Sequence, residues 1–432
     1  MNTNLCCTAS LALCGLLAFS GSARAEGAAP SAGDGPRTSI DLQQAVRLAL
    51  LHNPDTRSSG YAVKAAQGAL TQAGVFENPS LFVNAMGTGV SPFQGPLPNQ
   101  FGLTWTVPVG GKRSAGIAAA RAGVDAAKAS YQASRQALVF AVESAFVTVQ
   151  LDASLLRFAD ADRDQFQQEL ALNTLRYKDG KIAYGDVLKL RVQALALDDA
   201  QREAQAALDG ARADLGQLVG EGVLAPGFTV EGALTAPDGS APGRPTTAEA
   251  LTAEALASRP DYLAALAQQK SAEAALTLAR RTPIPDIGIL ADYNHDFRKS
   301  DDAPDSYDLG LSIPLPLLDR NTGGVTQAEA AAAQAKLAVE SLRLAIHDAA
   351  VKAIAEWHAS QAQVSAYAAG VSTAKASLDI SKHAYDVGQG SLLDYLDAES
   401  SYRQVESAYR SAAARAAIAS HSLRFVAGKD VP

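Results

Sequence analysis

The sequence predicts a mainly α-helical protein with a membrane β-barrel portion, built as a tandem repeat of two similar halves. Three observations predict this fold class: two long stretches without proline, several short stretches of alternating apolar residues, and turn residues that recur in both halves. Together they predict that each half contains one long α-helical hairpin and one pair of strands.

The helices are predicted by proline placement, because residues 109–225 and 317–431 contain no proline. A proline inside a helix costs ~3 kcal/mol, and both stretches are rich in Ala, Leu, Gln and Glu, which favour helix. Each stretch has one weak point, at residues 177–181 and 385–390. We therefore expect two helical hairpins, the first with an arm over residues 112–176 that is about 100 Å long at ~1.5 Å per residue.

The strands are predicted by segments near the remaining prolines, in which apolar and polar residues alternate. Each segment has about ten residues, the length of a membrane strand. The smallest bacterial outer-membrane barrels have 8 strands, so the four strands of one chain could close a barrel only together with strands from other chains. A small soluble sheet covering a core is the alternative. The predicted lipid-facing residues are Phe101, Leu103, Trp105, Leu309, Leu311 and Ile313, and the predicted lumen-facing residues are Thr104, Thr106, Gly310 and Ser312.

The repeat is visible in residues that punctuate the chain. Pro54-Asp55 returns 206 residues later as Pro260-Asp261, and Tyr177, Gly180 and Asp186 return 208 residues later as Tyr385, Gly388 and Asp394. The sequence predicts a first repeat over 26–225 and a second over 248–432, joined by a linker or equatorial segment at 226–247. The strand pairs are expected at about 79–109 and 284–316, and the hairpins at about 111–219 and 320–427.

Residues 1–25 are predicted to be a secretory signal peptide. A short apolar stretch precedes Ala23-Arg24-Ala25, a small-x-small cleavage site. Lipidation at Cys14 is the alternative, although the residue before it is Leu13 rather than a small residue. No later stretch offers 18 uncharged apolar residues, so no transmembrane helix is expected.

Composition excludes several classes of function. The net charge is −8, which leaves no basic surface for nucleic acid. With six histidines, and three cysteines all near the N-terminus, the sequence offers little material for a metal centre. We find no nucleophile elbow, phosphate loop or HExxH motif, and therefore expect no enzyme activity.

Several motifs resemble those of the TolC family of outer-membrane efflux channels, over residues 39–428. They are the tandem halves, Asn53-Pro54, Asn78-Pro79 and the two proline-free hairpins. Residues 107–113 (VPVGGKR) and 313–321 (IPLPLLDRN) resemble the CzcC-like branch that serves heavy-metal efflux.

The resemblance implies a homotrimer in the outer membrane that extends into the periplasm. Each chain would give four strands to a twelve-stranded barrel in the lipid and four helical arms to a periplasmic α-barrel. The implied partners are a periplasmic adaptor (membrane fusion) protein and an inner-membrane pump of the resistance-nodulation-division type.

The resemblance also assigns roles to the hairpin ends. Asp394 and Asp397 lie three residues apart, on one helix face, and would form an acidic ring at the channel entrance; solvated acids near a helix N-terminus are the alternative. Asp186 and Tyr385 resemble a latch between neighbouring hairpins, with Gly390 where some family members carry an Arg. Gly180 and Gly388 match turns that contact the adaptor.

Two other functions remain open from the sequence. One is an outer-membrane channel for drug efflux or type I protein secretion. The other is a soluble periplasmic coiled-coil scaffold.

Overall fold

The computed structural model describes residues 37–84, 100–220, 222–236, 247–294 and 305–429. The predicted signal peptide at 1–25 and the candidate lipidation site Cys14 lie outside these residues. So does part of the segment that was expected to join the two repeats.

Four long helices dominate the chain. The helix α3 (Lys112–Lys178) is followed by α4 (Tyr184–Val219), and α7 (Thr322–Asp386) by α8 (Leu392–Val426). The first of them has 67 residues, about 100 Å at ~1.5 Å per residue. Four shorter helices precede the long ones: α1 (Leu42–His52), α2 (Pro54–Ala73), α5 (Ala248–Ser258) and α6 (Pro260–Arg281).

The start of α2 shows why an Asn-Pro pair begins a helix in the first repeat. Asn53 is the N-cap, and its side-chain oxygen accepts hydrogen bonds from the backbone amides of Asp55 and Thr56 at 3.0 and 3.1 Å. Pro54 occupies the first helical turn, where a missing N–H costs nothing. The Asn53 amide also donates to the Leu218 carbonyl at 3.0 Å, so the same residue anchors α2 to the end of α4.

The long helices form a row, and the neighbours of α3 and α7 differ between the two parts of that row. In one part of the row α2 packs on α3, α3 on α6, and α6 on α7. In the other part the order is α4, α3, α8 and α7, with α3 and α8 meeting at the seam between the two hairpins. Both hairpin turns are therefore carried by the same part of the row.

Four strands form one antiparallel sheet in the order β2 (Ser80–Asn84), β3 (Gln100–Val107), β5 (Ile287–Asn294) and β6 (Ser306–Ser312). Leu103 lies opposite Ala291, which lies opposite Leu309, and Trp105 aligns in the same way with Ile289 and Leu311. Residues directly opposite one another share a face of the sheet. The alternation seen in the sequence therefore becomes one continuous apolar face.

A second, parallel pair joins β1 (Arg37–Ile40) to β4 (Leu224–Val230). The strand β4 falls where the sequence predicts the end of the first repeat and the start of a linker. Its side chains cover a core with α1 and the middle of α3, in which Ile40, Val142 and Leu215 are fully buried. The strand β4 is stabilised by burial against α1 and α3. Its sequence has no alternation of apolar and polar residues that would predict a strand.

One window of α3 is long and apolar enough to cross a membrane, and 44% of it is buried within the protein. The sequence predicts no such helix, because no stretch of 18 residues after the first 25 is uncharged and apolar throughout. The core side chains of α3, among them Leu138, Val142 and Phe146, pack against α1 and the β1–β4 pair. Packing inside the protein thus accounts for the buried part of the apolar stretch.

Candidate functional site

The two hairpin turns have the same backbone. Gly180 and Gly388 adopt φ of 73° and 77°, in the left-handed region that glycine enters without a steric penalty. Among the described residues, no atom outside the adjacent ones lies within 4 Å of a Cβ placed at either position. Both predicted turn glycines thus lie at the reversal of a helical hairpin.

The two turns border a single cavity of about 590 Å³. The first hairpin contributes Arg176, Asp186 and Lys189 to its walls, and the second contributes Tyr385 and Asp386. The predicted latch residues, Asp186 and Tyr385, are therefore brought to the same cavity although they are about 200 residues apart in sequence.

Within this chain, the two latch residues bind other partners. The Tyr385 hydroxyl donates to the side-chain oxygen of Asn173 at 2.9 Å, and Asn173 is fully buried. Burial raises the pKa of Tyr385, and the nearby Arg176 acts in the opposite direction. Asp186 pairs with Lys189, three residues further along the same helix, at 3.4 Å.

Two ion pairs tie the hairpins together beside this contact. Arg176 on α3 reaches Asp386 at the end of α7 at 3.2 Å, and Lys382 on α7 reaches Glu169 on α3 at 2.7 Å. Glu169 is buried, so removing Lys382 would leave a buried carboxylate without this cation, which is costly. Together with the Tyr385–Asn173 hydrogen bond, these contacts join α3 to α7 across the hairpin ends.

Sequence reasoning missed Glu169, Asn173 and Arg176. A signal was present, because Phe166, Glu169 and Asn173 recur at intervals of three and four residues and all three are buried. Two polar residues in such a stripe indicate a buried hydrogen-bonded contact. Their partners on α7 could not be read from that spacing.

Gly390 is the residue that the sequence resemblance matches to an Arg of some family members. A Cβ built there would lie 3.0 Å from the Cβ of Ala384 and 3.1 Å from backbone atoms of Ala384 and Tyr385. The amide of Gly390 also donates to the Ala384 carbonyl at 2.9 Å. A side chain at this position would crowd the turn, and Arg176 is one cation nearby that pairs across the hairpins, with Asp386.

Asp394 and Asp397 are exposed on the first turns of α8. Ser391 is the N-cap, and its hydroxyl oxygen accepts a hydrogen bond from the Asp394 amide at 3.1 Å. Acidic residues in a first turn are favoured by the helix dipole. The two carboxylates therefore extend from the hairpin end into solvent.

The apolar face of the sheet is also solvent-exposed in the isolated chain. The exposed fraction is 86% for Leu309 and 75% for Leu311, and Ile313 lies one residue beyond the end of β6. The predicted lipid-facing residues of β3 share this face and are exposed as well: Phe101, Leu103 and Trp105.

On the opposite face of the sheet, polar side chains form a cross-strand network. Asp292 is buried and accepts hydrogen bonds from Gln100 at 2.6 Å and from Asn294 at 3.1 Å. Asn294 also donates to Asp308 at 2.8 Å. The sheet thus has one apolar and one polar face, and among the described residues no group of three His, Cys, Asp or Glu side chains could hold a metal ion.

The chain matches one protein family and is similar to several known proteins. The family model described as "Outer membrane efflux protein" matches residues 45–221 and again 251–429. The cobalt-zinc-cadmium resistance protein CzcC of Cupriavidus metallidurans is 27% identical over 69% of this chain and 68% of its own. The nickel-cobalt-cadmium resistance protein NccC of Alcaligenes xylosoxydans is 24% identical over 75% of this chain and 71% of its own.

Among solved structures, the CmeC outer membrane channel of Campylobacter jejuni superposes with a TM-score of 0.76 at 16% identity, over 93% of this chain and 90% of that one. This likeness confirms the predicted fold class. The family resemblance inferred from the sequence is confirmed too, because the family model covers most of both halves. The chain belongs to the outer membrane efflux protein family, whose place is the outer membrane.

Proposed function

We propose that this protein is the outer-membrane exit channel of a multi-component efflux system, and that its cargo is heavy-metal cations. The observation that carries the channel function is the double family match, which spans both halves of the chain. Each half supplies a strand pair and a long hairpin. The cargo is supported by two relatives whose names describe resistance to cobalt, nickel, zinc or cadmium.

The assembly we propose is a homotrimer with a twelve-stranded barrel. Within the described residues, β2 and β6 each pair on one side only. Unpaired strand edges are not tolerated in lipid, where each unsatisfied backbone group costs several kcal/mol. On the outer helix of the row, Leu188, Val192 and Leu195 form an exposed stripe at intervals of four and three residues. Such a stripe suits the helix of a neighbouring protomer.

The orientation of the sheet follows from its two faces. We assign the face of Leu309 and Leu311 to lipid, because large apolar side chains this exposed are otherwise unfavourable in water. The polar face that carries Asp292 and Asp308 then lines the lumen.

At the other end, we assign the periplasmic entrance to the hairpin turns. Asp394 and Asp397 would give a trimer six carboxylates around its opening, which attracts cations. Asp186 and Tyr385 would latch neighbouring hairpins. The turns at Gly180 and Gly388 would meet the adaptor, and a pump of the resistance-nodulation-division type would supply energy at the inner membrane. The chain itself would catalyse no reaction and need no cofactor.

Complementation of a deletion strain tests this function. We expect deletion to lower the tolerated concentration of cobalt, zinc, nickel or cadmium, and the parent gene to restore it. The variant Leu311→Arg should fail to restore resistance, since a cation on the lipid face costs ~2–4 kcal/mol near the bilayer midplane. The matched control, Ser312→Arg, changes the neighbouring residue on the polar face and should restore it.

The outcomes separate the alternatives. Sensitivity to organic drugs with unchanged metal tolerance would make the protein a drug-efflux channel. Loss of a secreted protein with unchanged metal tolerance would favour type I secretion. Recovery of the chain in the soluble periplasmic fraction, with cross-linking that yields only monomers or dimers, would contradict the channel.

A further inference from the structure

The seam between the two hairpins contains buried charges. Glu399 and Arg403 lie on the face of α8 that meets α3, and Glu406 and Arg410 repeat this pair seven residues later. Seven residues are two helical turns, so both pairs lie on the same side of α8. The α3–α8 contact is less extensive than the contact inside either hairpin, so these polar groups bear strongly on how the hairpins are held together.

The two pairs differ in what they meet on α3. Arg410 lies 2.6 Å from Glu406, and its other nitrogen donates to the backbone carbonyl of Ser154 at 3.4 Å. That pair is therefore balanced, with one carboxylate, one guanidinium and a neutral acceptor.

The pair nearer the hairpin ends is not balanced. Arg403 lies 3.6 Å from Glu399 on its own helix and 3.4 Å from Asp162 on α3. One guanidinium thus serves two carboxylates that come from different hairpins. Lys382, on α7, is engaged 2.7 Å from Glu169, on α3. Asp162, Glu399 and Arg403 are called the seam triad below.

The imbalance of one guanidinium against two carboxylates is energetically important because Glu399 is buried. Glu399 is 5% exposed, and among the described residues its second carboxylate oxygen has no hydrogen-bond partner. A buried carboxylate oxygen without a partner is costly when ionised, and the cost is much smaller if the group binds a proton. The seam also lies at the centre of the row α4–α3–α8–α7, away from the outer helices α4 and α7.

We propose that the seam triad is a proton-operated clasp between the two hairpins, closed when one of its carboxyls is protonated and loosened when both are ionised. This inference rests on the proposed channel function, because α8 also carries Asp394 and Asp397. These residues lie within two turns of Glu399, so loosening the seam displaces the acidic residues at the proposed entrance.

The direction of the pH dependence follows from the surroundings of Glu399. Burial raises the pKa of Glu399 from 4.5 to about 7; Asp162 and Glu169 on α3 act in the same direction, and Arg403 and Lys382 oppose it. Burial also raises the pKa of Asp162. A carboxyl whose pKa is higher in the closed state than in water favours closure at low pH. That advantage declines as the pH rises from about 4.5 to 7.

Distance measurements between the hairpins test the clasp without relying on conduction. Spin labels on Gln168→Cys of α3 and Ser400→Cys of α8 report the width of the seam, with mass spectrometry confirming that only these positions are labelled. We expect a narrow, short distance distribution at pH 5.5. At pH 8 the ratio of wide to narrow populations should rise by on the order of 20-fold, with its midpoint below pH 7.

Two variants and one control complete the experiment. Glu399→Gln, which resembles the protonated acid, should keep the short distance at both pH values. Asp162→Asn removes a carboxylate that raises the pKa of Glu399 and leaves Arg403 to Glu399 alone. The midpoint of the transition should therefore move to lower pH, by about one pH unit. Glu406→Gln alters the balanced pair on the same helix face and should respond to pH as the parent does.

A seam that does not respond to pH in the parent, or responds equally in Glu399→Gln, would overturn the clasp. Such a result leaves the proposed channel intact if metal tolerance is still restored by complementation. Conversely, a pH-dependent seam in a protein that confers no metal tolerance would contradict the proposed cargo and not the clasp.

Discussion

Gly180 and Gly388 give the two hairpins the same turn, yet the tyrosines that precede these glycines have opposite surroundings. Tyr177 is 40% exposed, and its ring lies 5.3 Å from that of Tyr184, which is also exposed. Tyr385 occupies the corresponding place in the second repeat and is only 9% exposed. It stacks on the buried Tyr395 with ring centres 5.8 Å apart.

The charges at the two ends differ in the same way. Asp186 pairs with Lys189 in the first hairpin. The positions 208 residues later hold Asp394 and Asp397, so the lysine has been replaced by a second acid. The comparison teaches that the duplicated backbone was retained while the side chains diverged. One end carries a balanced pair and exposed rings, and the other carries net negative charge and buried rings.

The largest expected effect is the loss of the buried ring. Tyr385→Ala should lower the free energy of unfolding by ~3–5 kcal/mol, because it leaves a cavity between α3, α7 and α8. Tyr177→Ala should cost ~1 kcal/mol or less, since that ring is largely in water. Urea unfolding of the purified protein in detergent measures both. Equal losses would break the comparison and indicate that a neighbouring protomer covers Tyr177.

A smaller effect isolates the hydroxyl group. Tyr385→Phe keeps the ring but leaves the buried oxygen of Asn173 without its donor, which should cost ~1–3 kcal/mol. We also expect easier opening, seen as higher single-channel conductance in planar bilayers. Tyr177→Phe is the matched control in the first repeat and should change neither quantity. An unchanged Tyr385→Phe protein would mean that water replaces the lost donor.

The third effect is electrostatic and leaves stability almost unchanged. Asp394→Ala with Asp397→Ala should weaken block of the channel by trivalent cations by about tenfold or more, because the carboxylates concentrate cations locally. Asp186→Ala with Lys189→Ala removes the balanced pair at the corresponding positions and should leave the block unchanged. If both double variants are blocked like the parent, Asp394 and Asp397 are solvated helix-face acids and the constriction lies elsewhere.

The repeating architecture is predicted by local features of the sequence. The absence of proline from residues 109–225 and 317–431 predicts helices far longer than a globular domain uses, and Gly180 and Gly388 mark where they reverse. Alternation in β3 and β6 predicts an apolar sheet face. These features follow from local rules, because proline, glycine and side-chain period act on the backbone of the residue itself and its immediate neighbours.

The side chains that meet across the hairpins depend on how the helices pack against one another. Tyr385 bonds to Asn173 and Arg176 pairs with Asp386, in each case more than 200 residues apart. The unbalanced seam triad likewise depends on α8 lying against α3. Helical period fixes the face on which Glu399 or Asp162 lies, but not the helix that covers it. The environment of a buried charge is set by that neighbour, since burial and partner charges together determine whether it holds a proton.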